Sequence, residues 1–206
     1  MIVVIDYDIG NVGSVANMIK KIGFTSVVTG DPDIIAKANK LILCGIGAYD
    51  NAMQSLIDKN LVDILNERVL IKKIPILGIC VGMQLFTESG EEGVLKGLGW
   101  IKGETKKFDF SYSNHPLPIP HMGWNHVNLV KKSPLWKDMY DQAKFYFVHS
   151  YHVVTPEDSQ DGLLTTSYGY PFISAVEKDN IIGVQFHPEK SHKYGMRLFK
   201  NFIENY

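Results

Sequence analysis

Short apolar runs alternate with segments of helical periodicity through the first half of the chain. Runs of this kind predict buried strands, and a 3.6-residue apolar repeat predicts an amphipathic helix. The predicted strands are Ile2–Asp6, Ser26–Val28, Lys40–Leu43 and Ile74–Ile79. The predicted helices are Gly10–Ile22, Pro32–Ala38 and one or two within Ala48–Asn66. This alternation predicts an α/β fold with an open, mainly parallel, twisted sheet and helices on both faces.

The second half of the chain has a different pattern. Between Gly97 and Val130 it is rich in Gly, Pro, His and aromatic residues, which favours short strands joined by turns. Further elements are predicted at Phe145–His149, Leu163–Tyr168, Ile173–Glu177 and Ile181–Phe186 (strands), Lys178–Asn180 (a hairpin turn) and Tyr194–Tyr206 (a closing helix). Strands linked by such turns predict an antiparallel extension of the sheet.

Length and charge narrow the class of protein. The 206 residues suit one domain covering residues 1–206, and the most linker-like piece, Asn114–Pro120, is short. The 21 basic and 22 acidic residues nearly balance without a basic block, so we expect no nucleic acid partner. No run is long and apolar enough to span a membrane, and the chain opens on a strand pattern instead of a signal peptide.

Cysteine and histidine usage argues against disulfides and metals. The two cysteines, Cys44 and Cys80, do not form the framework of a disulfide-rich secreted domain. We expect a cytoplasmic protein, because a reducing compartment keeps Cys80 available as a thiol. The clustered His115, His121 and His126 fit no standard zinc spacing, so we expect no metal. The chain has no complete dinucleotide-binding fingerprint, so we expect no cofactor.

A cysteine flanked by glycines follows the fourth predicted strand. Gly78-Ile79-Cys80-Val81-Gly82 predicts a strand, a tight turn and the start of a helix. Small neighbours permit a strained turn that lifts the sulfur clear of the sheet, and a helix N-terminus favours the thiolate. A cysteine after a strand is, taken alone, most often a small buried hydrophobe, which is the interpretation we keep for Cys44. For Cys80 the glycines predict a nucleophile.

A histidine and a carboxylate follow the last predicted strand, in Gln185-Phe186-His187-Pro188-Glu189. On an extended strand residues i and i+2 face the same side, so His187 and Glu189 are expected side by side. A lone His-x-Glu is more often a surface pair. Together with Cys80, however, it completes a nucleophile, a base and an orienting carboxylate for acyl transfer.

The intermediate of such a reaction needs donors for its oxyanion, usually backbone N–H groups. The N–H of Val81, next after the nucleophile, is one candidate. A second glycine-rich turn, Cys44–Gly47, follows a predicted parallel strand and belongs at the carboxyl edge of the sheet, where open α/β folds bind ligands. We expect its backbone to supply the other donor. The polar segment His149–His152 also follows a predicted strand, and it is either a strand end on the surface or part of the site.

These motifs resemble those of the triad (class I) glutamine amidotransferases. Within that superfamily the chain is similar to the glutaminase subunits of imidazole glycerol phosphate synthase, an enzyme of histidine biosynthesis. The segments that carry the similarity run in the family's order over nearly the whole chain: Asp6-Tyr7, Gly10-Asn11, Gly45–Ala48, Gly78–Gln84, Pro120–Asn125, His149–Tyr151 and His187–Ser191.

The resemblance implies hydrolysis of L-glutamine to glutamate and ammonia through a cysteine thioester. It also implies a heterodimer with a (β/α)8-barrel cyclase, which uses the ammonia to make imidazole glycerol phosphate and AICAR. Low activity without that partner is expected, since the oxyanion turn can rest in an unproductive peptide orientation. By position, the implied roles are catalysis for Cys80, His187 and Glu189, the oxyanion hole for Val81, Ile46 and Gly47, glutamine binding for Gly47, Gln84, His149, Ser150 and Tyr151, and the partner interface for Asn11, His121, Trp124, Tyr146 and Lys190.

The chain departs from the family pattern at three positions. Cys44 and Ile46 replace a proline and a valine of the oxyanion turn, and His192 replaces a glutamine. Loss of the proline frees a φ angle and adds an N–H group. None of these departures touches the triad.

Three other functions remain as hypotheses. A paralogous subunit would supply ammonia to amidate a surface sugar. A thiol enzyme of the α/β-hydrolase type would act alone, although that class places its acid before the histidine and this chain places it after. A non-enzymatic binding subunit would not need the intact triad.

Overall fold

The computed structural model describes residues 1–112 and 116–206, so His115 and the start of the linker-like segment Asn114–Pro120 lie outside the described residues. The strands are β1 (Ile2–Ile5), β2 (Ser26–Thr29), β3 (Lys40–Gly45), β4 (Ile76–Cys80), β5 (Ser89–Gly90), β6 (Glu104–Lys107), β7 (His121–His126), β8 (Asn128–Leu129), β9 (Lys144–His149), β10 (Tyr151–Val154), β11 (Gly162–Tyr168), β12 (Tyr170–Lys178) and β13 (Ile181–Val184). The α-helices are α1 (Val12–Lys21), α2 (Pro32–Ile35), α3 (Tyr49–Asp58), α4 (Val62–Asn66), α5 (Val81–Gln84) and α6 (His192–Asn205). A π-helical turn follows α4 over Glu67–Ile71, and 3-10 turns cover Pro134–Trp136 and Pro188–Lys190.

The main sheet has a parallel and an antiparallel part. Five parallel strands lie in the order β2-β1-β3-β4-β13. The antiparallel strands β12, β10 and β6 continue the sheet beyond β13, and β11 pairs with β12 and β8. A separate antiparallel sheet joins β7 and β9. The predicted α/β fold with an antiparallel extension is confirmed.

Most predicted elements form, with shifts at their ends. The segment predicted as one or two helices forms two, α3 and α4, because Asn60 between them adopts a positive φ of 55° that ends the first helix. The last parallel strand ends at Val184, two residues earlier than expected. The sequence patterns did not predict β5 or β10.

Burial differs between the middle and the edge of the parallel part. Every residue of β1, β4 and β13 is buried, as expected for strands covered on both faces. The edge strand β2 instead exposes Val27 and Val28. One cluster of buried apolar side chains extends from Ile2 to Ile203 and so includes both halves of the chain.

The register of the central strands assembles the site. Gly45 at the end of β3 pairs with Cys80 at the end of β4, and Ile79 pairs with Val184 at the end of β13. Because these strands are parallel, the segments that follow them leave the sheet at the same carboxyl edge, where ligands bind in open α/β folds.

Candidate active site

Cys80 lies in a strained turn between β4 and α5. Its φ is 54° and its ψ is −112°, a combination of backbone angles that residues other than glycine rarely adopt. The turn needs a glycine at position 82, since a methyl group there would lie 1.9 Å from the carbonyl oxygen of Leu43. The predicted strained turn at Cys80 is therefore present. Because α5 is a single turn (Val81–Gln84), its dipole is a weaker support for a thiolate than the sequence argument assumed.

His187 and Glu189 form a buried pair, as predicted, although by a different local geometry. The Nδ1 atom of His187 lies 2.8 Å from Oε1 of Glu189, and the two side chains are only 2% and 3% exposed. The chain between them is not an extended strand. It enters the 3-10 turn Pro188–Lys190, which brings the carboxylate back under the ring.

The backbone around His187 is held on both sides. Its N–H donates to the carbonyl of Tyr146 over 2.8 Å, and its own carbonyl accepts from the hydroxyl of Ser191 over 2.6 Å. With Nδ1–H donating to Glu189, Nε2 is the free acceptor of the ring, and it has no hydrogen-bond partner within residues 1–112 and 116–206. Such a nitrogen is suited to act as a general base.

Cys80 and His187 line the same cavity, whose volume is about 460 Å³. Burial lowers the pKa of His187, but the neighbouring Cys80 and Glu189 more than offset this and raise it above its ordinary value. The cavity is lined by Ile46, Gly47, Ala48, Cys80, Val81, Gln84, Glu92, Pro120, Val148, His149, Ser150, Tyr151 and His187. The predicted catalytic, oxyanion and glutamine-binding residues thus meet at one cavity, apart from Glu189, which lies behind His187.

The turn after β3 forms one wall of this cavity. Gly47 has a φ of +86°, and the side chain of Ile46 is 51% exposed. Cys44, one residue before Gly45, is buried, and burial together with the charge of Glu189 raises its pKa to about 12. Cys44 therefore stays a neutral packed thiol, as expected, while the turn beyond it faces the cavity.

Two glutamine side chains connect the walls of the cavity beneath Cys80. The Nε2 of Gln84 donates to Oε1 of Gln185 and to the carbonyl of Tyr151, each over 3.1 Å. The Nε2 of Gln185 in turn points to the Sγ of Cys80 at 3.7 Å. Gln185 was missed in the sequence, although a polar residue at the end of a buried apolar strand was a usable signal.

A chain of hydrogen bonds determines the tautomers of two buried histidines. Nδ1–H of His149 donates to the carbonyl of Tyr151 over 2.7 Å, which leaves Nε2 as an acceptor. Nδ1–H of His121 donates to that Nε2 over 3.0 Å. The amide of Asn125 then donates to Nε2 of His121 over 3.2 Å and to the carbonyl of Ser167 over 3.0 Å. Both rings are neutral in this arrangement, and they hold the wall at Tyr151 in place.

The environment of these rings favours the same neutral state. Burial lowers the pKa of His149 to about 3 and that of His121 to about 4. His121 is only 3% exposed, so its side chain lies beneath the surface and not on it. Its predicted place at a partner interface does not agree with this burial, because a neutral histidine bonded on both nitrogens has no free atom to offer a partner.

The other residues predicted for an interface are accessible. Trp124 is 42% exposed, Tyr146 is half-buried, and Asn11 and Lys190 are exposed. The Nζ of Lys190 lies 5.7 Å from the centre of the Tyr146 ring, within reach of a cation–π contact. Asn11 also caps α1 by accepting from the N–H of Ser14. Their role toward a partner stays a prediction.

No group of three or more His, Cys, Asp or Glu side chains with metal-binding geometry occurs in the described part of the chain. No helix in residues 1–112 or 116–206 is long and apolar enough to cross a membrane.

Glu92 is a second residue that the sequence did not single out. It lies in the irregular segment after β5 and is the one carboxylate among the residues that line the cavity. A free amino acid carries an ammonium group that such a carboxylate can bind. No strand or helix pattern surrounds Glu92, so only the folded chain reveals its position.

Comparison with known proteins gives one consistent family. The family described as "Glutamine amidotransferase class-I" matches residues 3–205. Proteins named "Imidazole glycerol phosphate synthase subunit HisH 2" from Methanococcus maripaludis and Pseudomonas aeruginosa are 54% and 48% identical over 204 residues, with 99% of each chain covered. The protein named "Imidazole glycerol phosphate synthase subunit HisH" from Leptospira borgpetersenii is 43% identical over 202 residues, covering 98% of each chain.

Solved structures show the same fold at low sequence identity. A structure described as a glutamine amidotransferase has a TM-score of 0.74 at 14% identity and covers 98% of this chain and 97% of its own. The PurLQS structure from Thermotoga maritima has a TM-score of 0.70 at 16% identity, with 98% and 96% covered. With a family match over nearly its whole length and full-length relatives above 40% identity, the chain belongs to the class-I glutamine amidotransferase family.

Proposed function

We propose that this protein is the glutaminase subunit of an imidazole glycerol phosphate synthase. It hydrolyses L-glutamine and passes the ammonia to a (β/α)8-barrel cyclase subunit in the cytoplasm, for the synthesis of imidazole glycerol phosphate and AICAR in histidine biosynthesis. The observation that carries the chemistry is the shared cavity of Cys80 in its strained turn and His187 with its buried Glu189. The full-length similarity to proteins named as subunits of that synthase supports the pathway and disfavours amidation of a sugar.

The first half-reaction forms a thioester. His187 takes the thiol proton of Cys80, and the thiolate attacks the side-chain amide carbon of glutamine, so that a C–S bond forms and the carbonyl electrons move to oxygen. The N–H of Val81 and the turn at Ile46 and Gly47 bind the oxyanion. The protonated His187 then gives its proton to the nitrogen, and the C–N bond breaks to release ammonia.

The second half-reaction returns the free enzyme. His187 accepts a proton from a water molecule, whose oxygen attacks the thioester carbon. The C–S bond breaks, glutamate leaves, and Cys80 recovers a proton from His187. Glu189 stabilises the charged ring in both halves, because its carboxylate lies 2.8 Å from Nδ1.

The walls of the cavity account for recognition of an amino acid. Glu92 supplies a negative charge for the α-ammonium group of glutamine, and the backbone of His149, Ser150 and Tyr151 lies on another wall of the cavity, where it can meet the α-carboxylate. The network that links Gln84 to the Tyr151 carbonyl holds this wall next to Cys80.

A partner follows from the chemistry of the product. Ammonia released into neutral water is mostly protonated and no longer nucleophilic, so a sheltered path to the acceptor is needed. We assign the interface with the cyclase to exposed Asn11, Trp124 and Lys190 together with half-buried Tyr146.

Reconstitution tests this function. The chain is mixed with the cyclase subunit of the same organism, and glutamate release is measured with and without the cyclase's acceptor substrate. We expect turnover that depends on the cyclase, rises with the acceptor and disappears in Cys80→Ala. Turnover that ignores the cyclase, or that responds only to a sugar acceptor and its own partner, would overturn the assignment.

A further inference from the structure

Tyr7 has a buried hydroxyl group that the fold leaves without a partner. The residue follows β1 and is 0% exposed. Its hydroxyl makes no hydrogen bond to any of the residues that the structure describes. Buried polar groups are nearly always paired in folded proteins, so an exception calls for an explanation. The position is firmly held, because the hydroxyl of Ser55 donates to the backbone carbonyl of Tyr7.

The Tyr7 hydroxyl lies between the two elements that form the oxyanion hole. A methyl group built on Gly45 would be 2.6 Å from the hydroxyl oxygen, 3.0 Å from Cβ of Val81 and 3.1 Å from the N of Gly82. The hydroxyl is therefore close to the peptide that follows Gly45 and to the turn that follows Cys80. The absence of a side chain at Gly45 is what allows this approach.

The orientation of the Gly45–Ile46 peptide connects the Tyr7 hydroxyl to the proposed oxyanion hole. In a planar trans peptide the C=O of Gly45 and the N–H of Ile46 point in opposite directions. When the N–H of Ile46 points into the cavity, the carbonyl of Gly45 points away from it, toward the interior side. In the described conformation this carbonyl does not accept from Tyr7, since the hydroxyl is unpaired.

The turn has the freedom to rotate this peptide. Gly45 and Gly47 flank Ile46, and glycine tolerates φ and ψ values that other residues do not. The side chain of Ile46 is half exposed and so is not fixed by packing. Rotation about this peptide would move one carbonyl oxygen and one N–H, and within β3 it would affect only the last pair, Gly45 with Cys80.

We propose that Tyr7 is a positioning residue of the oxyanion turn, whose hydroxyl donates to the Gly45 carbonyl when the Gly45–Ile46 peptide aims the Ile46 N–H at the oxyanion. This inference rests on the proposed function. The hydroxyl gains its hydrogen bond only in the catalytic orientation, so it lowers the free energy of that state relative to the resting one. Burial raises the pKa of Tyr7 well above its ordinary value, which keeps the proton available for donation.

The test removes only the hydroxyl, in Tyr7→Phe. Glutamate release is measured in the reconstituted complex with cyclase and acceptor saturating, and thermal unfolding is measured on the free chain. We expect kcat to fall about tenfold, the size of one net hydrogen bond to a buried group, with KM changed less than twofold. We expect the melting temperature to stay equal or rise, since the hydroxyl has no partner to lose in the resting state.

Tyr49→Phe is the matched control. Tyr49 is also 0% exposed and its hydroxyl is also unpaired within the described residues. That hydroxyl faces Gly97, where a methyl group would lie 2.2 Å away, and not the oxyanion turn. We expect Tyr49→Phe to keep the wild-type kcat.

Each outcome decides the proposal. A kcat of Tyr7→Phe within twofold of wild type overturns it, and so does a joint loss of kcat and melting temperature, which would show a hydroxyl already bonded at rest. An equal loss in Tyr49→Phe would also overturn it, as a general effect of core tyrosines. An inactive wild-type complex refutes the proposed function itself, and the role of Tyr7 falls with it.

Discussion

Replacing Glu189 by glutamine tests how the buried carboxylate contributes to catalysis. The substitution keeps the size of the side chain and an oxygen that can accept from Nδ1 of His187, so it removes the charge and leaves a neutral hydrogen bond. The charge acts only while the ring is protonated, which happens at each proton transfer. Its loss should therefore raise the barrier and leave glutamine binding almost unchanged.

The geometry of the His187–Glu189 pair gives the expected size of the loss in kcat. The carboxylate oxygen and the ring nitrogen are 2.8 Å apart, with side chains 2% and 3% exposed. Charge centres about 4 Å apart attract by about 4 kcal/mol at an effective dielectric constant of about 20. Since about 1.4 kcal/mol corresponds to a factor of ten, kcat should fall about 10²- to 10³-fold. Because Glu189 raises the pKa of His187, the limb of the pH–rate profile that reports protonation of His187 should move to lower pH.

Glutamate release by the reconstituted complex, measured across pH, is the assay. Glu177→Gln is a suitable control, because Glu177 also has a buried carboxylate oxygen but does not line the cavity. A Glu189→Gln variant with kcat within threefold of wild type and an unmoved pH profile would show that the carboxylate only packs against the ring.

Three further predictions concern the turn, the histidines and the substrate site. Gly82→Ala should lower the free energy of unfolding in urea by about 2 kcal/mol or more, because its methyl would lie 1.9 Å from the Leu43 carbonyl oxygen. Stability should fall as the pH drops from about 6.5 toward about 4, since neutral His121 and His149 have pKa values near 4 and 3 when folded and near 6.5 when unfolded, which urea midpoints across pH will measure. Glu92→Gln should raise KM for glutamine about 10- to 100-fold with a smaller change in kcat, since it removes a charge-assisted hydrogen bond.

Matched variants give these predictions their controls. Gly13→Ala should not destabilise the chain, because a methyl group at that position of α1 meets no atom within 4 Å. Glu91→Gln changes the neighbouring carboxylate, which does not line the cavity, and should keep the wild-type KM. Equal effects of Gly82→Ala and Gly13→Ala, a urea midpoint that stays constant down to pH 4, or an unchanged KM in Glu92→Gln would each contradict the corresponding argument.

Local sequence was sufficient for the parts of the site that depend on backbone shape. The glycines around Cys80 predicted a strained turn, and φ of 54° with a 1.9 Å approach at Gly82 confirms that only small residues fit. The pairing of His187 with Glu189 was also predicted, but for the wrong reason. Pro188 starts a 3-10 turn, because its fixed φ suits the first position of such a turn better than a continued central strand.

Contacts between segments far apart in the chain could not be predicted from the sequence. The burial of His121 depends on β7 pairing with β9, which places its ring against His149. Gln185 and Glu92 come from distant parts of the chain, and only folding brings Gln185 to the sulfur of Cys80 and Glu92 to the cavity that Cys80 lines. No spacing rule relates such residues, because tertiary packing and not local periodicity brings them together.

The amino-acid sequence alone was enough to predict the alternation of strands and helices, the strained turn at Cys80 and the order of the proposed catalytic residues, since each depends on periodicity or on the steric needs of a few neighbouring residues. The position of β13 beside β4 became visible only in the folded chain, because it pairs residues about a hundred positions apart. That pairing brings His187 to the cavity that Cys80 lines. The folded chain also shows the unpaired hydroxyl of Tyr7 close to Gly45, because the hydrogen-bond partners of a buried hydroxyl depend on all of its tertiary neighbours.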